Sequence, residues 1–332
     1  MSINKIGGIM QGLIIENIAN LYKVKVGLNI IPNSKNCQIN PEPMAKLPSK
    51  PGTDGNSEIY EATARGKLKK EEITPVVGDL VEISVIDEEN KKAVIEEIKK
   101  REIYIKRPKL ANITQIVFVI SSKEPKPDLL MLDKQLAFAE FIGVKVLIVL
   151  NKIDLDDEKE FKEIKEVYEK IGYCVIETEA KAKKGLVELK DKLQGNINAF
   201  SGNSGVGKST LINGIFNRDM TQEGEISKKN KRGKNTTTAI KLYEINDNTY
   251  IADTPGFSTF DISEIESKDL AKYFREFSKE IARCEFVGCT HLKEENCGIK
   301  DAIRNGEISK FRYERFCKIY EELKLKEERK KW

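Results

Sequence analysis

The run Gly202-Asn203-Ser204-Gly205-Val206-Gly207-Lys208-Ser209-Thr210 spaces its glycines so that the backbone can wrap an anion. Without a Cβ the chain turns tightly enough for successive N–H groups to point at phosphate oxygens. The strand-like INAFS precedes the run and the helix-like STLINGIF follows it, so the positive end of a helix dipole adds to the cradle. Lys208 is placed to reach β- and γ-phosphates, and the Ser209 hydroxyl suits a magnesium ion. This pattern specifies a P-loop nucleotide binder and leaves the base undefined.

The base is addressed by Asn151-Lys152-Ile153-Asp154, which follows the apolar run KVLIVL. An ionised carboxylate only accepts, so Asp154 takes hydrogens from guanine N1 and the 2-amino group together. Adenine offers neither and would leave the acid unpaired, which is how such sites discriminate. Asn151 braces the loop and the Lys152 stem lies over the ring. Ala180-Lys181, in the run TEAKAKKGL, approaches the base through its backbone, with Glu179 where GTPases commonly carry serine. Asp253 closes the strand-like TYIAD, where it can hold a magnesium shell, and the Gly256 N–H can sense a γ-phosphate. Between P-loop and Asp253 lie Thr236, Thr237 and Thr238, of which Thr237 is taken as the magnesium ligand. The Mg²⁺ set is therefore Ser209, Thr237 and Asp253, and the catalytic set is Lys208, Thr237, Asp253 and Gly256.

A third cluster, Cys284, Cys289, His291 and Cys297, packs three thiols and the only histidine into a short window. Three sulfurs and one imidazole are a closed tetrahedral donor set, which predicts one structural Zn²⁺. Cys37, Cys174 and Cys317 have no such neighbours and read as free thiols.

The elements that must carry these groups fall into three segments. Residues 1–107 show short strands with glycine turns and predict a small β-barrel, interrupted by a proline-rich insertion at 32–58. Residues 108–260 alternate buried-type strands with helical patterns, which predicts an α/β sheet, mostly parallel with helices on both faces. Residues 261–332 are mainly helical around the cysteine cluster.

In most GTP-binding chains the phosphate cradle precedes the base reader, and here the order is reversed. That order, with strands before it and the cysteine cluster after it, resembles the RsgA family of circularly permuted, small-ribosomal-subunit-dependent GTPases. The resemblance implies an OB-fold barrel, a circularly permuted P-loop GTPase domain and a C-terminal zinc domain. It also implies GTP as substrate, hydrolysis to GDP and phosphate, and the small ribosomal subunit and its rRNA as partner. Two positions depart from familiar patterns: Phe257 stands where Ras-like GTPases have the water-orienting glutamine, and Asn235 where the family commonly has histidine. A slow enzyme completed by its partner is the expectation. An RNA-binding assembly factor with GTP as a mere switch, and a P-loop ATPase, remain the alternatives.

Composition agrees with a soluble chain rich in surface charge, with 33% charged residues and a formal net charge of +4. That charge is too small to demand nucleic acid, but Lys and Arg cluster at 99–109, 228–234 and 310–332, as phosphate-backbone binders require. No stretch is apolar enough to span a bilayer and no signal-peptide core opens the chain, so a cytoplasmic monomer without membrane contact is expected.

Overall fold

The computed structural model describes residues 9–18, 20–27, 57–66, 73–156, 160–216, 240–246, 248–253 and 262–329. The 32–56 part of the insertion, Asn235, the three threonines, Gly256, Phe257, Cys37 and the 228–234 basic run therefore lie outside the described residues. The described residues form two compact units. The first draws on 1–115, 193–200 and 221–255, and the second on 116–192, 201–220 and 256–332.

In the first unit, β1 (Ile9–Ile18), β2 (Leu21–Val26), β3 (Glu58–Ala64), β4 (Leu80–Asp87) and β5 (Lys92–Ile98) close into a barrel. The pairing runs β1-β2-β3-β5-β4 and returns through β1 to β4. Only β3–β5 is parallel. The run GLIIENIANLYKVKV forms two strands, because Asn20 adopts a left-handed turn at φ 69°. Leu13, Val24, Tyr60, Ala62, Val81, Ile83 and Ile95 fill the barrel at 0% exposure. Fully buried Asp79 accepts the Val76 N–H at 2.8 Å and two Arg101 N–H groups at 2.7 and 2.8 Å, clasping the chain that leaves the barrel. The short hairpin β6 (Tyr104–Lys106) and β7 (Lys109–Ala111) follows. This unit also holds most of β11 (Ile197–Ser201), together with β12 (Lys241–Asn246) and β13 (Thr249–Asp253). There β11 and β13 run parallel, while β12 is antiparallel to β13.

The second unit is built on β8 (Gln115–Ser121), β9 (Lys145–Asn151) and β10 (Cys174–Thr178), ordered β10-β9-β8 with β9 and β10 parallel. Every residue of β8 is buried, as a strand covered on both faces requires. Helix α1 (Leu129–Ile142) starts at Asp128, whose carboxylate accepts the Met131 N–H at 2.9 Å, and ends at left-handed Gly143. Next come α2 (Glu160–Lys170), α3 (Leu186–Leu193) and α4 (Lys208–Phe216). The C-terminal part consists of 3₁₀ turns between Ile262 and Arg283, then α5 (Gly298–Arg304) and α6 (Lys310–Arg329). No helix among the described residues is long and apolar enough to cross a membrane.

A buried ion network fixes α6 to α1. Asp133, 0% exposed, accepts the Tyr168 hydroxyl at 2.7 Å, Arg315 Nε at 2.5 Å and Arg312 Nη1. Arg312, 1% exposed, also pairs with Glu276 and lies 4.8 Å from the Phe274 ring centre. Phe274, Phe277 and Phe316 pack beside it with centroids 4.9–5.2 Å apart. Removing one partner of such a network strands a charge away from water. Asp133→Asn and Arg312→Met are each expected to cost about 3–5 kcal/mol in denaturant unfolding. Breaking the surface Lys272–Asp269 pair is expected to leave the unfolding midpoint nearly unchanged in the same assay.

Candidate nucleotide and metal sites

The P-loop and the base-reading loops all belong to the second unit. The loop leaves β11 at Ser201, whose hydroxyl accepts from Gln135 of α1 at 3.1 Å. Gly202 has φ 148°, and a Cβ there would stand 2.2 Å from the Val119 carbonyl oxygen. Gly207 has φ 99°, and its Cβ would meet the Asn151 amide nitrogen at 2.3 Å. Both positions combine a left-handed backbone with close approach, so no other residue fits them. Lys208 opens α4, and its ammonium donates to the carbonyls of Gly202 at 2.5 Å and Asn203 at 2.9 Å. It is thus held across the mouth of its own loop. Burial pulls the Lys208 pKa below its ordinary value, so a phosphate anion there would replace lost hydration. Ser204, Gly205, Ser209 and Thr210 are exposed, and Val206 is buried beneath them.

Asn151 ends β9 at 1% exposure, and its side-chain amide both donates and accepts. Nδ2 donates to the Val206 carbonyl at 2.9 Å. Oδ1 accepts the Thr178 hydroxyl at 3.0 Å and the Ala180 N–H at 3.3 Å. One side chain therefore joins the P-loop, the base-reading loop and the run containing Ala180-Lys181. Lys152 follows at φ 64°, its carbonyl accepting Ser122 Oγ at 2.7 Å and its ammonium donating to the Glu124 carbonyl at 2.5 Å. Ile153 and Asp154 lie in a single 3₁₀ turn, with the Asp154 side chain exposed. The run after β10 is closed by a Glu179–Lys184 bridge, and Lys181 is exposed. Thr178, Ser122 and Glu124 escaped sequence reasoning. Thr178 directly precedes the quoted Glu179-Ala180-Lys181, but its role depends on a partner 27 residues away.

The magnesium candidates are distributed. Ser209 is exposed at the start of α4, Asp253 closes β13 in the first unit, and Thr237 and Gly256 lie outside the described residues. A serine hydroxyl and a carboxylate oxygen are hard donors of the kind magnesium takes.

The four cysteine and histidine donors lie within 4.8 Å of one another. Cys284 Sγ and Cys297 Sγ are 3.5 and 3.4 Å from His291 Nδ1 and 4.0 Å from each other. Zinc–sulfur bonds of ~2.3 Å in a tetrahedron separate donors by about 3.7 Å, so the residues fit the ion. Burial, assisted by the other thiols, pushes Cys289 up to about 12. A bound cation reverses that preference by holding thiolates. Glu294 shapes the knuckle: its carboxylate accepts the Thr290 N–H and hydroxyl, both at 2.8 Å, the Leu292 N–H at 3.0 Å and the Lys293 N–H at 3.1 Å. His291 sits at φ 63°, its carbonyl receiving the Tyr313 hydroxyl at 2.6 Å. The sequence pattern supplied the four ligands but not Glu294 or Tyr313. Cys174 and Cys317 are free thiols.

Residues 96–263 match the RsgA GTPase family and residues 53–95 the RsgA N-terminal domain. The small ribosomal subunit biogenesis GTPase RsgA of Clostridium novyi is 44% identical over 82% of this chain and 93% of its own. YjeQ from Thermotoga maritima has a similar structure, with a TM-score of 0.76, 31% identity and coverage of 95% of this chain and 99% of that one. YloQ, a circularly permuted GTPase, gives a TM-score of 0.75 at 25% identity, covering 98% of this chain and 99% of that one.

Asn151→Ala leaves the Val206 carbonyl and the Ala180 N–H without their partner. It is expected to weaken GDP binding by about 10- to 100-fold, from ~1.5–3 kcal/mol of lost and unsatisfied hydrogen bonds. Thr178→Val, which removes one neutral bond, is expected to cost about 10-fold or less in the same calorimetric titration. A stoichiometric chelator is expected to withdraw one zinc per chain, read by elemental analysis, and to lower the thermal midpoint of the metal-loaded protein.

Proposed function

The chain belongs to the RsgA GTPase family, and from that premise we propose that it hydrolyses GTP during maturation of the small ribosomal subunit, with subunit binding stimulating turnover. Its GTPase activity follows from the family. The subunit partnership carries over the relatives' function to a chain alike over most of their length. The observation that best supports guanine nucleotide as ligand is the Asn151 amide, which brings the phosphate loop and the base-reading loop to one place.

In this reading Asp154 pairs with the guanine edge and the Lys152 stem covers the ring. Ala180 and Lys181 face the base through their backbone. Residues 202–210 wrap the phosphates, with Gly202, Asn203, Ser204, Gly205, Val206 and Gly207 supplying N–H groups. When nucleotide arrives, Lys208 exchanges the Gly202 and Asn203 carbonyls for β- and γ-phosphate oxygens, so its charge is ready before binding. Ser209, Thr237 and Asp253 would hold magnesium, which neutralises charge developing on the phosphates. The Gly256 N–H senses the γ-phosphate. Phe257 cannot orient water through a hydrogen bond, and Asn235, whose amide can orient water, is a poor base, so slow hydrolysis by the isolated chain is the expectation. A bound subunit completes the site by ordering Asn235 and the threonine loop.

The barrel and the zinc part serve as binding modules for the subunit and its rRNA, on a cytoplasmic monomer. The partition into a barrel at 1–107, a GTPase domain at 108–260 and a zinc domain at 261–332 belongs to the same proposal. Multiple-turnover GTP hydrolysis is expected to be slow alone and to rise about 10-fold or more with small subunits, the scale of adding one transition-state contact. Equal turnover with and without subunits would sink the stimulated-enzyme reading. Binding without hydrolysis on the subunit would leave only the switch. Asp154→Asn is expected to transfer preference from GTP to XTP, whereas an ATPase would be indifferent.

A further inference from the structure

Lys25 is the one lysine on the barrel that is almost fully buried among the described residues, at 5% exposure. It lies on β2 opposite Leu13 of β1 and between Val24 and Val26. Strand alternation turns it away from the face those two valines share. Its ammonium pairs with both carboxylate oxygens of Glu244 on β12 and lies 5.8 Å from the centre of the Tyr250 ring on β13. The Tyr250 hydroxyl donates to Glu244 Oε1 at 3.5 Å. A lysine charge removed from water persists only with a partner, so this contact is specified rather than incidental.

The same three strands carry a row of paired residues. Glu16 of β1 is opposite Lys241 of β12, and Lys241 is opposite Asp253 of β13. The barrel therefore stands two strand steps from the acid assigned to magnesium. The β12–β13 register shifts between Glu244 and Asn246, so the hairpin is irregular beside the ion pair. A slip of one residue would turn each side chain to the opposite face, Asp253 included. The ion pair anchors β12 at the irregular end of that hairpin, where strand pairing alone defines it least.

We propose that Lys25 and Glu244 are positioning residues for the GTPase reaction: by locking β12 to the barrel, they hold Asp253 where it supports magnesium. The barrel is then part of the hydrolytic apparatus as well as a binding module. The proposal rests on the assignment of Asp253 to magnesium, so Asp253→Asn is measured alongside.

The test uses the full chain and four proteins besides wild type: Lys25→Met, Glu244→Gln, the exchange Lys25→Glu with Glu244→Lys, and Asp253→Asn. The readouts are the Mg²⁺ midpoint for binding a non-hydrolysable fluorescent GTP analogue, kcat and KM with subunits, and GDP affinity in EDTA. Lys25→Met and Glu244→Gln are expected to raise the Mg²⁺ midpoint and lower kcat by about 10-fold, the scale of losing an outer-shell partner of a metal site. GDP affinity in EDTA is expected to stay within about two-fold, because the loops joined by Asn151 are untouched. The exchanged pair is expected to recover most of the midpoint shift. A raised midpoint in Asp253→Asn with wild-type midpoints in both single variants would overturn the proposal. So would a loss of GDP affinity in EDTA in step with the raised midpoint, which marks general destabilisation. An unshifted midpoint in Asp253→Asn would overturn the magnesium assignment and the proposal with it.

Discussion

A single buried amide sets the geometry on which the nucleotide site depends. Asn151 has one donor direction committed to the Val206 carbonyl and one acceptor shared by Thr178 and Ala180. An amide at 1% exposure has little recourse to water, so these bonds must form together or the residue becomes a liability. Their joint formation puts the phosphate loop against the base-reading loop with Gly207 in contact, too close for any side chain at that glycine. This requirement concerns distance in space and is indifferent to chain order. Asn151 precedes Val206 by 55 residues here, yet the pair meets at 2.9 Å. The reversed order of the two motifs is therefore compatible with an intact guanine site, because the constraint acts through the amide and not through the connection.

The parts that were legible in the sequence are those whose determinants are local. The P-loop helix runs from Lys208 to Phe216, one residue more than the run STLINGIF that marked it, because glycine wrapping and apolar spacing are encoded within one short run. The gathering of Cys284, Cys289, His291 and Cys297 was likewise legible, since donor type and proximity in sequence suffice. Barrel closure was not. It needs β1 to pair with β4 and β3 with β5, and alternation within a strand says which face is buried but not which neighbour is chosen. The site showed the same division: Asn151 and Lys208 were readable, but Thr178 and Glu294 were not, because their roles follow from where a turn places their partners.

Charge was the least legible feature. The basic clusters at 99–109 and 310–332 suggested surfaces for a phosphate backbone, yet several of their members are committed to carboxylates of the chain. Arg101 clasps buried Asp79, Lys99 pairs at the surface with Glu82 at 2.6 Å, and Arg312 and Arg315 share buried Asp133. A run of like charge records an excess without saying where each side chain points. Lys25 is the sharper case, since nothing around it in sequence distinguishes a lysine that will be covered from one left in water.

Those pairs also explain what ties segments distant in sequence to one another. Forming a buried ion pair gains little over an apolar contact, because desolvation offsets the attraction, whereas separating its members strands charge at high cost. Such a pair contributes modestly to stability but strongly to geometry: the partners must stay in register or the surrounding segment opens. Asp133 applies this to the C-terminal residues, since α6 can leave α1 only by exposing or orphaning Arg312. Lys25 applies it to the barrel, since β12 can shift only by abandoning a covered ammonium. Helix α6 is thus tied to α1, and β12 to the barrel, through contacts that tolerate little intermediate displacement.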